Sequence, residues 1–270
     1  MKEATDYHLR SNSFITRDFL AENPYKSDSP TASLREIPSP YYTLASEGIF
    51  LIRDGEDALV RLPFVARKQT DKKHYTCGGY GFEGRFVSYY YQLREVLRRT
   101  PDSVLEIGVG DGVFGSFIKN NTSIVYRSVD IAEDLHPDII ASITTLPIAN
   151  RSFDIVCAFE VLEHLPFNEF DRALDELCRV ARRYVVISLP HFGPMLSMSL
   201  KIPFLPQTRL AYKLPYLKTH TFNGEHYWEI GKKRYSISRI RERLRAHGPI
   251  VRDFIPFNSE YHHFFVLEVN

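Results

Sequence analysis

Cysteine is scarce in this 270-residue sequence: Cys77, Cys157 and Cys178 are all there is. The count is odd and no two are spaced two residues apart, which argues against a disulfide framework or a zinc knuckle and favours a reducing, cytoplasmic setting. Long apolar runs are missing as well. None approaches the ~18 residues that cross a bilayer, and the opening stretch MKEATDYHLRSNSF lacks the apolar core of a secretory signal. Charge of one sign is not in excess, since 34 Lys and Arg face 33 Asp and Glu. That balance gives no strong nucleic-acid signal, so such a role would need a local patch. No internal repeat or low-complexity tract is present.

The chain is long enough for one large α/β domain with an extension, and a hydrophobic fraction of 44% is enough to give that domain a core. Residues 1 to 40 are polar and interrupted by Pro24, Pro30, Pro38 and Pro40, and read as an irregular arm. GIFLIRDGEDALVRLPFV follows, two β-like runs around Asp54-Gly55, a hairpin signal. HYTCGGYGFEGRF reads as a loop and VSYYYQLREVLRRT as a helix that Thr100-Pro101 stops. From Ser103 strands and helices alternate. SVLEIG, SIVYRSVDI, SFDIVCAFE and YVVISLP read as strands, DIIASI as a further short one, and VFGSFIKN and NEFDRALDELCRVA as helices. The strands are nearly continuous apolar runs, as both-face burial in a parallel sheet requires. Alternation of this kind predicts a doubly wound α/β sheet. Residues 191–232 break it and read as a long irregular insertion. SISRIRERLRAHG then returns as a helix capped by Ser236 or Ser238 and stopped by Gly248, before IVRDFIPF and HHFFVLEV close the chain as strands.

The stretch SVLEIGVGDGVFGSF carries the first chemical signal. Gly108, Gly110 and Gly112 directly follow a strand and open a helix, which lets backbone turn tightly beside a ligand. A dinucleotide turn would need a third glycine where Val113 stands. Glu106 and Asp111 flank the turn, and two carboxylates repel a pyrophosphate but suit a ligand bearing an ammonium and a sulfonium. Asp130 ends the next strand 20 residues after Gly110, where an acid accepts hydrogen bonds from ribose hydroxyls.

With VLEIGVGDG, SVDI, LPIANRSFDIVCAFEVLEHL and YVVISLP in this order, the sequence resembles the class I, Rossmann-like S-adenosylmethionine-dependent methyltransferases over Ser103 to Pro190. The resemblance implies a doubly wound, mostly parallel seven-stranded sheet with helices on both faces, an N-terminal extension and an insertion after the fifth strand. Residues 1–85 would be the arm and hairpin extension. Residues 86–270 would be the methyltransferase domain, with a substrate cap at 191–232. It implies S-adenosyl-L-methionine as cofactor, with Glu106, Gly108, Gly110 and Asp111 at its methionyl part, Asp130 and Ile131 at the ribose, Ser142, Ile143 and Thr144 beside adenine, and Glu160 near the methionyl group. The family often has an aspartate where this chain has Ser142. Arg85, in the loop Tyr75–Arg85, would meet the methionyl carboxylate.

Methyl transfer from a sulfonium is an in-line displacement that positioning alone can accelerate, and an alcohol acceptor also needs a base. The Asp-Pro-Pro-Tyr-like motif of amino-nucleobase methyltransferases is absent after SFDIVCAFE. His164, His191 and His226 are the candidate catalytic groups, with His220 beside them. His164 also reads as a packed structural histidine, His191 follows YVVISLP at the carboxyl rim where such sheets bind ligands, and FNGEHYWEIG around His226 and Trp228 reads equally as a site wall or a loop anchor. Glu160, Glu163 and His164 would share a helical face, and with His226 they are similar to the metal pattern of the small-RNA 3′-end 2′-O-methyltransferases. Gly193 to Lys218 holds four cations and no acid among many apolar residues, which reads as a hydrophobic cap, a substrate lid or a peripheral membrane contact. The expected function is methyl transfer to a small-molecule or glycan-type acceptor, at oxygen. The alternatives are a metal-dependent RNA methyltransferase and a non-catalytic scaffold.

Overall fold

The computed structural model describes residues 43–44, 50–54, 58–61, 72–75, 83–204, 207–214, 218–222 and 224–269. The arm over residues 1–40, Cys77 and residues 76–82 of the glycine-aromatic loop lie outside them. The described residues fall in one unit, Ser39–Asn270. Three short strands, β1 (Thr43–Leu44), β2 (Phe50–Asp54) and β3 (Ala58–Arg61), make an antiparallel sheet of their own. The β2–β3 pair is the hairpin that Asp54-Gly55 announced, with Asp54 opposite Ala58.

The main sheet has seven strands: β4 (Ser103–Ile107), β5 (Val125–Asp130), β6 (Ile139–Ile140), β7 (Phe153–Phe159), β8 (Ala181–Pro190), β11 (Ile250–Phe254) and β12 (His262–Glu268). Their order is β11-β12-β8-β7-β4-β5-β6. Five strands run parallel; β12 lies antiparallel to β8, and β11 antiparallel to β12. The order reverses at β4, so the loops after β4 and β7 open a crevice at the carboxyl ends of the strands. Every residue of β4 and β7 is buried, which explains their lack of polar alternation.

Helices α1 (Glu83–Leu97), α2 (Val113–Asn121), α3 (Phe170–Val180) and α4 (Ile237–His247) accompany the sheet. Helix α1 starts earlier than VSYYYQLREVLRRT suggested, so Glu83 to Arg85 are helical and not loop. Helix α3 buries Phe170, Ala173, Leu174, Leu177 and Val180, the stripe expected of 3.6-residue periodicity. Ser236 caps α4 by accepting a hydrogen bond from the Arg239 amide at 3.3 Å. Two apolar clusters form. Leu105 and Ile107 belong to one, and Val104 to the other with Phe114, Tyr126 and Cys157. Glu106 shares the face of Val104 by strand alternation, so its carboxyl enters the core beside Tyr126.

The insertion is not irregular throughout. β9 (Met195–Leu200) and β10 (Thr208–Lys213) pair as an antiparallel hairpin outside the main sheet. Among the described residues its prolines stand at the margins: Pro194 before β9 and Pro203 after it. They exclude a helix there without interrupting either strand.

Candidate functional site

The turn after β4 is built from residues with positive φ: Gly108 at 83°, Gly110 at 57° and Gly112 at 74°. Only glycine adopts such backbone without strain. Space forbids a side chain at Gly108 too, because Val161 occupies the place of a Cβ. Asp130 holds the turn in position. One carboxylate oxygen accepts from the Val109 amide at 2.8 Å, the other from the Ala132 amide at 2.8 Å. The acid therefore joins the ends of β4 and β5. Burial raises its pKa against the opposing backbone hydrogen bonds from Ala132 and Val109.

Asp111 accepts from the Val113 amide at 3.2 Å, which satisfies an orphan donor of α2, and from the Tyr89 hydroxyl of α1. Glu106 is 3% exposed and accepts a hydrogen bond from the Tyr126 hydroxyl. Burial pushes its carboxyl up to about 8, with Asp111 and Asp130 adding to the rise. Tyr126 escaped the sequence reading, although parallel register supplies a signal: Val104 faces Tyr126 and Glu106 faces Ser128, so Glu106 and Tyr126 are diagonal neighbours on one face.

The segment expected beside adenine follows β6. The Ala141 amide donates to the Asp130 carbonyl at 3.0 Å, which brings Ser142, Ile143 and Thr144 to the rim where Asp130 and half-buried Ile131 lie. Ser142 Oγ lies 2.9 Å from Thr144 Oγ1 and accepts from the Thr144 amide at 3.3 Å, while Ile143 is buried. Residues 72–75 make three contacts along the carboxyl ends of the strands. The Lys72 amide donates to Asp134 at 3.2 Å, His74 pairs with Glu225 at 3.6 Å, and a Cβ added to Gly110 would meet the Tyr75 ring at 3.7 Å.

After β7 the chain turns sharply at Glu160, a non-glycine residue at φ 55°. Its Oε2 lies 3.6 Å from His262 Nε2, and its buried Oε1 has no hydrogen-bond partner. Burial pushes Glu160 up to about 7, with the Arg85 guanidinium opposing the rise. The strained turn separates Glu160 from the short 3-10 helix Leu162–His164. Glu160, Glu163 and His164 therefore do not share one helical face.

Glu163 and His164 instead meet His226, with ligand-capable atoms of the three within 4.8 Å of one another. Glu163 is fully buried and neither carboxylate oxygen has a hydrogen-bond partner. Its backbone carbonyl accepts from the Tyr227 amide at 2.9 Å, and His164 Nδ1 lies 3.1 Å from the Glu225 carbonyl. As Nδ1 faces an acceptor, it carries the proton, and Nε2 is the basic nitrogen of the ring. Burial, then neighbouring His226, lowers His164 to about 4. His226 Nδ1 faces Glu229 and the Tyr261 hydroxyl, each at 3.4 Å. Burial raises Glu229, but the His226 hydrogen bond and Lys232 outweigh it and hold the carboxyl below its ordinary range. His220 Nε2 lies 2.9 Å from the His226 carbonyl.

Trp228 fixes this wall. It is fully buried, donates to the Leu165 carbonyl at 3.1 Å and packs edge-on against Phe167 and Phe170. The segment around His226 is thus anchored and adjoins Glu163 and His164.

His191 lies apart from that group. It begins where β8 ends and is 7% exposed. Its Nδ1 is 2.9 Å from His263 Nδ1, His263 Nε2 is 2.7 Å from Asp253, and Arg241 donates to Asp253 at 2.6 Å. Asp253 is an anion: burial raises it, but His263 and Arg241 outweigh that and hold it far below its ordinary value. His263 therefore donates through Nε2 and accepts through Nδ1, so His191 is protonated at Nδ1. Burial and His263 lower His191 to about 3. Neither His263 nor Asp253 stood out in the sequence, because contacts between distant strands leave no local period.

Residues 105–187 match a family model described as a methyltransferase domain. No curated protein matches the chain. Among solved structures, an S-adenosylmethionine dependent methyltransferase from Mesorhizobium loti is 14% identical, covering 67% of this chain and 97% of that one, at a TM-score of 0.45. Magnesium protoporphyrin IX methyltransferase from Synechocystis PCC 6803, with bound SAM, is 16% identical over 69% of this chain and 80% of its own, at 0.44. The 1,6-didemethyltoxoflavin-N1-methyltransferase of Burkholderia thailandensis is 13% identical over 86% of this chain and 100% of its own, at 0.43.

Proposed function

We propose, for a chain that carries a class I S-adenosylmethionine-dependent methyltransferase domain, that the acceptor is a small molecule or glycan methylated at oxygen. The observation that carries the cofactor reading is the turn held by Asp130. Its glycine backbone has positive φ at Gly108 and Gly110, and Glu106, Asp111 and Asp130 surround it. Such a cradle fits a cationic nucleoside and not a pyrophosphate, and an arriving cation would draw off the proton that burial keeps on Glu106. Glu106, Gly108, Gly110 and Asp111 would hold the methionyl half, with the orphaned Glu160 oxygen facing a cation from the β7 side. Asp130 and Ile131 would hold the ribose, and Ser142, Ile143 and Thr144 would flank adenine. When bound, the cofactor supplies an electrophilic methyl group.

The oxygen acceptor rests on His226. A proton held on Nδ1 toward Glu229, 3.4 Å away, makes Nε2 the basic nitrogen that would receive a hydroxyl proton. His164 would orient that ring, which it meets edge-on with centroids 5.0 Å apart. His191 would act from further away, fixing the rim where β8 and β12 end. Calorimetric titration with S-adenosylmethionine, followed by a labelled-methyl screen of hydroxyl, carboxyl and amine acceptors, tests both parts. Absence of heat and of any thermal shift would overturn the cofactor reading, and label on nitrogen would overturn the acceptor.

A second reading is favoured by one specific observation, the unpartnered carboxylate of Glu163 within ligand distance of two histidines. Two imidazoles and a carboxylate suit a divalent transition metal, which would activate an acceptor hydroxyl such as an RNA 3′-end 2′-OH. Melting curves with manganese or cobalt, and transfer to RNA ends with and without chelator, separate the two readings.

A further inference from the structure

The β9–β10 hairpin has an uncovered apolar face. Thr208 pairs with Leu200, Arg209 with Ser199 and Tyr212 with Leu196. Side chains alternate across a strand, so Leu196, Met198, Leu200 and Tyr212 project from one side and Ser197, Ser199 and Arg209 from the other. On the first side Leu196 is 67% exposed, Met198 58% and Tyr212 63%. The connection between the strands adds Ile202, 45% exposed, and Phe204, wholly exposed. A connected set of large apolar groups left in water marks an interaction surface.

Charge narrows the partner. Residues 193–218 contain Lys201, Arg209, Lys213 and Lys218 and no acidic residue. Lys213 anchors the base of the hairpin, donating to the His191 carbonyl at 2.7 Å and the Gly193 carbonyl at 2.9 Å. The same base gathers further cations. Lys232 lies 3.4 Å from the centre of the Phe192 ring, and the Lys233 amide donates to the Lys218 carbonyl at 2.9 Å. Lys218, Lys233 and Arg234 are exposed. The hairpin is thus an apolar blade with an apolar tip and a basic collar. A second copy of the chain would bring the same positive charge against it, which is repulsive. An anionic lipid surface meets both properties at once, taking apolar side chains below the headgroups and cations among them.

We propose that the β9–β10 hairpin docks the protein, tip first, on a membrane surface of anionic lipid. Six residues per strand give the hairpin a length of about 20 Å. Interfacial elements bury roughly 5–10 Å, so Phe204, Ile202 and Leu200 enter while Lys201 and Arg209, next to the tip, stay at headgroup level and the basic collar faces the surface from about 10 Å above it. The hairpin exposes unpaired strand edges, whose amides and carbonyls forbid entry into the hydrocarbon interior. Docking is therefore peripheral. It holds whatever the acceptor is, since none of these residues is assigned to the cofactor or the base.

Co-sedimentation of the full chain with vesicles tests the proposal. Vesicles with about a third phosphatidylserine should bind the chain, pure phosphatidylcholine much less, and binding should weaken with salt. Arg209→Gln should weaken binding about fivefold, as one interfacial cation does. The double variant Ile202→Ser, Phe204→Ser should weaken it about tenfold or more, with an unchanged melting curve and unchanged S-adenosylmethionine titration. Equal binding to both lipids, no binding to either, or undiminished binding of the folded double variant would overturn the proposal. Self-association in light scattering that the double variant abolishes, without lipid binding, would overturn it in favour of a second copy.

Discussion

Replacing Glu106 with Gln should flatten part of the pH dependence of stability. Burial raises the Glu106 carboxyl from 4.5 to about 8, outweighing the Tyr126 hydrogen bond and the more distant Lys119, while Asp111 and Asp130 add to the rise. Between those two values the folded chain keeps a proton that the unfolded chain has released. The folded state is therefore fully favoured below the unfolded value, loses stability as pH climbs, and stops losing it once the folded value is passed. Each pKa unit is worth about 1.36 kcal/mol, so from about pH 5.5 to about pH 8.5 this carboxyl removes about 3 kcal/mol. Glutamine does not titrate and keeps an oxygen for the Tyr126 hydroxyl. The buried histidines, His164 lowered to about 4 and His191 and His262 to about 3, slope both curves alike and cancel in the difference. Urea unfolding of both proteins across that range should show the variant gaining on the parent by about 3 kcal/mol at the alkaline end. A constant gap at every pH would mean that Glu106 ionises normally in its buried place and would refute the reasoning.

Three further outcomes are expected. Gly108→Ala should abolish S-adenosylmethionine binding in calorimetry, because φ is 83° and Val161 fills the space a Cβ needs. Asp253→Asn should cost about 2–3 kcal/mol in urea unfolding at pH 7 by orphaning His263 and Arg241. The folded pKa of Asp253 is depressed, so its contribution is present above the unfolded value and the gap should narrow as pH falls through the acid range. Trp228→Ala should lose about 3–5 kcal/mol, and a smaller loss would mean that the segment around His226 is not anchored through Phe167 and Phe170.

The middle of the chain was legible because its signals are local. VLEIG and FDIVCAF are buried on both sides, VLEIG runs straight into the glycine turn, and Asp130 stands at a strand end at a meaningful distance from Gly110. The hairpin at 195–213 was missed because the prolines drew attention from the period-two placement of Leu196, Met198 and Leu200. Glu160, Glu163 and His164 looked like one helical face because spacing cannot reveal a positive φ at Glu160. The partners of the site residues were least visible. Tyr126, His262, His263 and Asp253 reach Glu106, Glu160 and His191 through strand pairing, and pairing across long stretches of chain leaves no periodicity to read.

Strand β12 comes more than seventy residues after β8 yet sits beside it inside the main sheet, between β8 and β11, bringing His262 to Glu160 and His263 to His191. During synthesis, β4 to β8 are all available well before their final neighbour has been made. Through that interval the β8 edge stays unpaired, with a full ladder of amides and carbonyls waiting for a strand more than seventy residues later. Pairing so distant in sequence is slow, and an open apolar edge is a template for mispairing. Pairing of β12 with β8 therefore closes the sheet and completes the His262 and His263 contacts in one step, the one with the longest reach along the chain.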